Sequence, residues 1–137
     1  MTATDWNKDV MNPTGWYMTE KYDGMRLYWN GYDFYTRHGT KVKVPEFISK
    51  SLPSTVSLDG ELWYYIVMLC SSKLYTRTQY GLYQEAVSLG ISTDDAKWKK
   101  AVFWVFDAPD KTNVPFEVKL ELIIGLFIFF NSKEWSI

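Results

Sequence analysis

Two short stretches of this chain carry residue types capable of covalent chemistry. Glu20-Lys21-Tyr22-Asp23-Gly24-Met25-Arg26 sets a lysine two residues before an Asp-Gly turn, with an arginine just beyond it. Leu58-Asp59-Gly60-Glu61-Leu62 follows downstream. A lysine amine is a nucleophile only when neutral, and a nearby cation or metal favours that form. An amine at a tight turn beside a guanidinium suits attack on a phosphate electrophile. A single Lys-x-Asp-Gly arises by chance in roughly a few per cent of chains this size, and Asp-Gly-Glu about as often. The two together, in this order, carry far more weight than either alone.

The elements that position these residues are mostly strands. Asn12-Pro13-Thr14-Gly15 is a turn cluster, and Trp16 to Glu20 after it has strand character, which puts Lys21 at a strand end. Met25 to Trp29 resumes as a strand beyond Asp23-Gly24. Asn30-Gly31 favours a type I′ hairpin turn, pairing Arg26–Trp29 with Tyr32–Thr36. Val44-Pro45 leads into a short helical segment, Glu46 to Ser51. Val56 to Trp63 is a strand carrying the Asp-Gly-Glu. Ala101 to Phe106 is an uninterrupted apolar run, the pattern of a central strand buried on both faces. Pro115 suits a first helical position, and Phe116 to Leu126 has helical spacing. The expected class is α+β, with mostly antiparallel sheets and flanking helices.

Composition narrows the setting. The 137 residues, 47% hydrophobic, suffice for one core and are too few for two full-sized domains. The aromatic content of 18% is high, so much of it is expected to be buried in the core or to line a site where flat groups stack. A net charge of −1 gives no global attraction to nucleic acid. Contact with DNA or RNA would need a local patch, for which Arg37, His38, Lys41, Lys43 and Lys50 are candidates; a solvated loop explains them equally well. The single Cys70 excludes an internal disulfide and fits a reducing compartment. Met1 to Trp16 lacks the apolar run of a signal peptide, and Ile123 to Phe130 is too short to span a bilayer. An intracellular location is expected, nuclear in a eukaryote and otherwise cytoplasmic.

The motifs resemble a known family. Thr19-Glu20-Lys21-Tyr22-Asp23-Gly24-Met25-Arg26 is similar to the nucleotide-attachment motif of ATP-dependent DNA ligases, which share a fold with RNA ligases and mRNA capping enzymes. Tyr35-Thr36-Arg37-His38-Gly39 resembles the next motif, with His38 where the family commonly has Asn. Leu58 to Trp63 resembles the third, and Phe103-Trp104-Val105-Phe106-Asp107-Ala108-Pro109 the fourth. The resemblance implies a partial covalent nucleotidyltransferase (ATP-grasp-like ligase) fold. It also implies that Lys21 attacks the α-phosphate of ATP, expels pyrophosphate and holds AMP as a phosphoramidate. By the same resemblance Arg26 and Arg37 grip phosphate and ribose and lower the lysine pKa, and Glu61 binds ribose or Mg²⁺. Phe106 stacks on adenine, and Glu20 sits by the base or ribose. Nicked DNA is the partner of complete family members. Taken alone, Lys21 reads as a surface lysine, Phe106 as a core aromatic, and Arg37 and Glu61 as solvated charges.

The resemblance covers residues 1–122, with an expected insertion at 64–76, and 123–137 has no family counterpart. The later Glu-Gly motif, the Lys-x-Lys motif and the OB domain of full ligases do not follow Leu122. Lys41-Val42-Lys43 has the right spacing but lies too early. Segments 64–76 and 123–137 are expected to be an insertion and an irregular end of the reading frame. The chain alone is then expected to be weak or inactive in nick sealing. Two alternatives remain: an mRNA capping guanylyltransferase using the same lysine with GTP, and a non-catalytic or unstable fragment.

Overall fold

The structure, a computed structural model, describes residues 5–18, 21–64, 66–70, 73–77, 83–92 and 94–131. Its elements run β1 (Met25–Trp29), β2 (Phe34–Thr36), β3 (Lys41–Val42), α1 (Glu46–Lys50), β4 (Leu58–Tyr64), β5 (Ile66–Cys70), β6 (Lys73–Arg77), α2 (Tyr83–Leu89), α3 (Asp95–Trp98), β7 (Ala101–Asp107) and α4 (Phe116–Asn131). Five strands form one antiparallel sheet in the order β3-β2-β1-β4-β7, and among the described residues β5 pairs with β6 alone. The molecule is α+β, with an antiparallel sheet flanked by helices.

The period-2 alternation of β1 and β4 divides the sheet into two unlike faces. Met25, Leu27 and Trp29 of β1, with Leu58 and Leu62 of β4, face the core, which Ala86 and Leu89 of α2 help to close. Trp29 lies at the centre, tilted on Phe34 at 5.0 Å, and its indole Nε1 donates to the Pro53 carbonyl at 2.7 Å. That bond removes the cost of a buried polar atom in an otherwise apolar site. Phe103 enters from β7 and meets Phe34 edge-on at 4.9 Å. Gly60 makes this approach feasible: a Cβ there would collide with the Trp104 carbonyl and stand 2.8 Å from the Phe103 ring.

Several expectations change in three dimensions. Trp16, Tyr17 and Met18 are exposed and form no strand, since no described strand offers them a ladder; Tyr17 instead packs on Phe116 of α4 at 5.4 Å. Lys21 therefore stands in an irregular segment ahead of β1. The β1–β2 loop spans Asn30–Asp33, and pairing starts at Trp29 opposite Phe34. The Asn30 side chain accepts from the amides of Tyr32 and Asp33 at 2.9 and 2.8 Å, which lengthens the turn, while Gly31 supplies the positive φ of 98°. β7 is the last strand of the sheet, paired with β4 alone among the described residues. On the face it shares with Arg26 and Glu61, Trp104 and Phe106 are exposed, where burial on both faces was expected. Before β7, α3 is a one-turn helix: the Asp94 side chain accepts from the Ala96 amide at 2.9 Å, and Trp98 anchors the turn by burial. Helix α4 runs unbroken from Phe116 to Asn131, and Ile123 belongs to the core.

Candidate functional site

The sheet face opposite the core gathers the charged and aromatic residues singled out above. Arg26 lies directly opposite Glu61 across the β1–β4 ladder, and Glu61 lies opposite Trp104 across β4–β7. Residues two apart share a face, so Asp59 and Phe106 join them. The Arg26 guanidinium holds both carboxylate oxygens of Asp59, Nε to Oδ1 at 3.0 Å and Nη2 to Oδ2 at 2.6 Å. It also lies over the Phe106 ring, 5.5 Å from the centroid. A planar fork gripped at two points is held far more tightly than a point charge would be. The hydrogen bonds to Asp59 raise the Arg26 pKa further, so this side chain stays charged.

Gly24 links the lysine turn to the second motif. Its amide donates to Glu61 Oε1 at 3.1 Å, and a Cβ at Gly24 would collide with the Leu62 carbonyl. The Asp-Gly turn thus lies flat against β4, which explains the glycine there. Burial raises the Glu61 pKa above the ordinary glutamate value; the Gly24 amide and the charges of Lys21 and Arg26 pull it back, and Asp23 adds to the rise. Lys21, exposed at the mouth of the turn, is thereby within electrostatic reach of Glu61. Tyr22 stacks on Trp104, with centroids 4.7 Å apart and planes 5° from parallel, and contacts Trp63 at 5.5 Å. This aromatic group pins the residue next to Lys21.

Arg26, Glu61 and Phe106 therefore share one face, and Lys21 is exposed in the irregular segment ahead of β1, near enough for its charge to act on Glu61. Arg37 is exposed in the β2–β3 turn, where its Nε donates to His38 Nε2 at 3.0 Å. The β1–β2 ladder ends at Leu27 opposite Thr36, so Arg37 lies beyond the paired residues. Glu20 lies outside the described residues. The cations proposed as a basic patch are spread over the β2–β3 turn, β3 and α1, and two are held by carboxylates: Lys41 by Asp33 at 2.7 Å and Lys50 by Glu46 at 2.8 Å. Among the described residues no group of three or more His, Cys, Asp or Glu side chains could hold a metal ion. None of the described helices is long and apolar enough to cross a membrane.

Sequence reasoning assigned no role to Asp59, Asp107, Lys119, Tyr22 or Trp104. Alternation could have found Asp59 from Glu61 and Trp104 from Phe106. Lys119 had no such signal: it reaches Asp107 Oδ1 at 3.0 Å only because α4 packs on β7.

No protein-family model matches the sequence. Over 103 residues, 75% of the chain, it is 32% identical to a DNA ligase of Haemophilus influenzae (strain ATCC 51907 / DSM 11121 / KW20 / Rd), and it spans 33% of that protein's length. A solved structure from a structure–function analysis of Lig E DNA ligases, described as DNA binding with a minimal scaffold, has a TM-score of 0.72. It covers 91% of this chain and 44% of its own, at 24% identity. The chain is thus similar in sequence to a DNA ligase and shares its fold with part of a Lig E ligase.

Proposed function

We propose that this chain is the adenylylation part of an ATP-dependent DNA ligase and that Lys21 is its nucleophile. The observation that carries the reading is the convergence on one sheet face of Arg26, Glu61 and Phe106, with the Lys21 turn tied to Glu61 through the Gly24 amide. These three residues come from separate motifs, 26, 61 and 106 in the chain, and antiparallel registration brings them together. Similarity to a ligase over three quarters of the chain supports the same assignment.

In this mechanism the Lys21 Nζ attacks the α-phosphorus of ATP. An N–P bond forms, the bond to the bridging oxygen breaks, pyrophosphate departs, and the amine proton passes to solvent. Phe106 offers an exposed ring for adenine, with Arg26 fixed beside it. Glu61 presents the carboxylate oxygen that the Gly24 amide does not occupy, which suits a ribose hydroxyl or a magnesium ion. Magnesium is commonly held by one or two carboxylates together with substrate phosphates, so Glu61 fits an ion delivered on the nucleotide better than a protein-built cage. Bound there, it would neutralise phosphate charge as the leaving group departs. Nicked DNA is the proposed recipient of the nucleotide in the complete enzyme, and each missing electrostatic contact to the phosphates would cost about 10²–10³ in rate.

The test is covalent labelling. Purified protein is incubated with α-labelled ATP and magnesium, denatured, and examined for retained label, with GTP and Lys21→Ala alongside. Label from ATP that disappears in the variant supports the reading. Label from GTP alone would move the assignment to a capping guanylyltransferase, and none from a folded protein would favour a non-catalytic fragment.

A further inference from the structure

The end of β7 holds an electrostatic problem that the proposed reaction does not explain. Asp59 and Asp107 stand directly opposite each other across the β4–β7 ladder, at a register shift between Asp59 and Gly60. Like charges placed opposite each other on adjacent strands destabilise a sheet. Each carboxylate is met by a cation from a different element: Arg26 of β1 grips Asp59, and Lys119 of α4 reaches Asp107 Oδ1 at 3.0 Å. The Lys119 side chain is only 16% exposed, so its charge is committed to this contact. Asp107 Oδ1 also accepts from the Ala108 amide at 2.8 Å, fixing the bend at which the strand ends. The four charges alternate in sign from β1 to α4, and Asp107 contributes to holding Arg26 in its charged form.

We infer that Lys119 is a positioning residue for Arg26 and Phe106, acting through Asp107. Without the ammonium, Asp107 faces Asp59 unneutralised, and Arg26, which grips Asp59 and lies over the neighbouring Phe106 ring, can serve both. The guanidinium is then drawn toward Asp107 and away from its two-point grip on Asp59. Phe106, one residue before Asp107 and beneath the guanidinium, then loses its charged neighbour. Helix α4 thereby sets the geometry of a nucleotide site to which it contributes no contact itself. The effect on nucleotide rests on the reading under Proposed function; the effect on Arg26 does not.

The experiment compares Lys119→Met, Lys119→Arg and the double variant Lys119→Met/Asp107→Asn with wild type. Asparagine keeps the oxygen that receives the Ala108 amide while removing the opposed charge. The first readout is the Arg26 Nε–H resonance in a nitrogen–proton NMR spectrum, identified by its absence from Arg26→Met. It is expected to shift or broaden in Lys119→Met and to return in both Lys119→Arg and the double variant. The second readout is ATP affinity, expected to fall about tenfold in Lys119→Met and to recover with the resonance. Urea unfolding of the same variants separates the roles: a merely structural ion pair would change stability and recover in the double variant while leaving the Arg26 resonance unmoved in Lys119→Met. An unmoved Arg26 resonance in folded Lys119→Met overturns the inference, whatever ATP does. A shifted resonance in a protein whose wild type ignores ATP supports the positioning role and overturns the nucleotide reading instead.

Discussion

Breaking the Arg26–Asp59 pair from either side should have unequal consequences. Both oxygens of Asp59 are held, at 3.0 and 2.6 Å, while the side chains are 36% exposed for Arg26 and 15% for Asp59. Exposed ion pairs contribute about 0.2–1 kcal/mol, and removing one member of a fully buried pair costs about 3–5 kcal/mol. This pair lies between those limits, so its coupling should be about 2 kcal/mol, in the range of hydrogen bonds to charged groups. Arg26→Met strands a nearly buried carboxylate opposite Asp107 and should cost about 3 kcal/mol. Asp59→Ala relieves that opposition and leaves an arginine that water can reach, so about 1.5 kcal/mol is expected. With unfolding entropy of about 2.1 cal/mol/K per residue over the 137 residues, the first change lowers Tm by about 10 °C and the second by about 5 °C. Urea unfolding of the two single variants and the double variant closes the cycle. Additive losses with coupling below about 0.5 kcal/mol, or Asp59→Ala proving the costlier change, would refute the reasoning.

Other sites give simpler outcomes. Gly60→Ala drives a methyl into the Trp104 carbonyl and the Phe103 ring, and should destabilise by more than about 2 kcal/mol in urea unfolding. Lys21→Ala, at an exposed position, should leave Tm within about 2 °C of wild type while abolishing covalent label. Glu61→Gln keeps an oxygen for the Gly24 amide but cannot ionise. Because burial raises the Glu61 pKa in the fold, its stabilising contribution is complete below the ordinary glutamate value and is lost as pH rises through the raised one. Wild type should therefore lose stability relative to Glu61→Gln as pH rises from the ordinary glutamate value through the raised one; parallel curves in urea titrations would exclude Glu61 as the source. Asp110→Ala removes the acceptor of the buried Ser57 amide, 2.7 Å away, and should cost about 1–3 kcal/mol by the same assay.

The sequence by itself determined β1, residue for residue, and the placement of β4 and α1 within about two residues. Those stretches have alternating burial or a clear local start signal, so local pattern and fold agree. It also determined the resemblance to ligases, because motif chemistry is written in contiguous residues. It misjudged β7, where an apolar run looked like a doubly buried strand. Apolarity reports affinity for a covered surface, and only the packing of other elements against the sheet decides which face is covered; on the face shared with Arg26 and Glu61, Trp104 and Phe106 stay exposed. The Asn30-Gly31 turn was legible, but its length was set by a carboxamide that satisfied two amides at once. The alternating charges from Arg26 to Lys119 were not legible at all. Their partners lie 33 and 12 residues apart, on elements whose mutual packing no local pattern encodes. Chemistry was readable from residue type, while the pairing of charges came from the registration of β4 against β7 and the packing of α4, because electrostatic energy depends on distances that exist only in the folded chain.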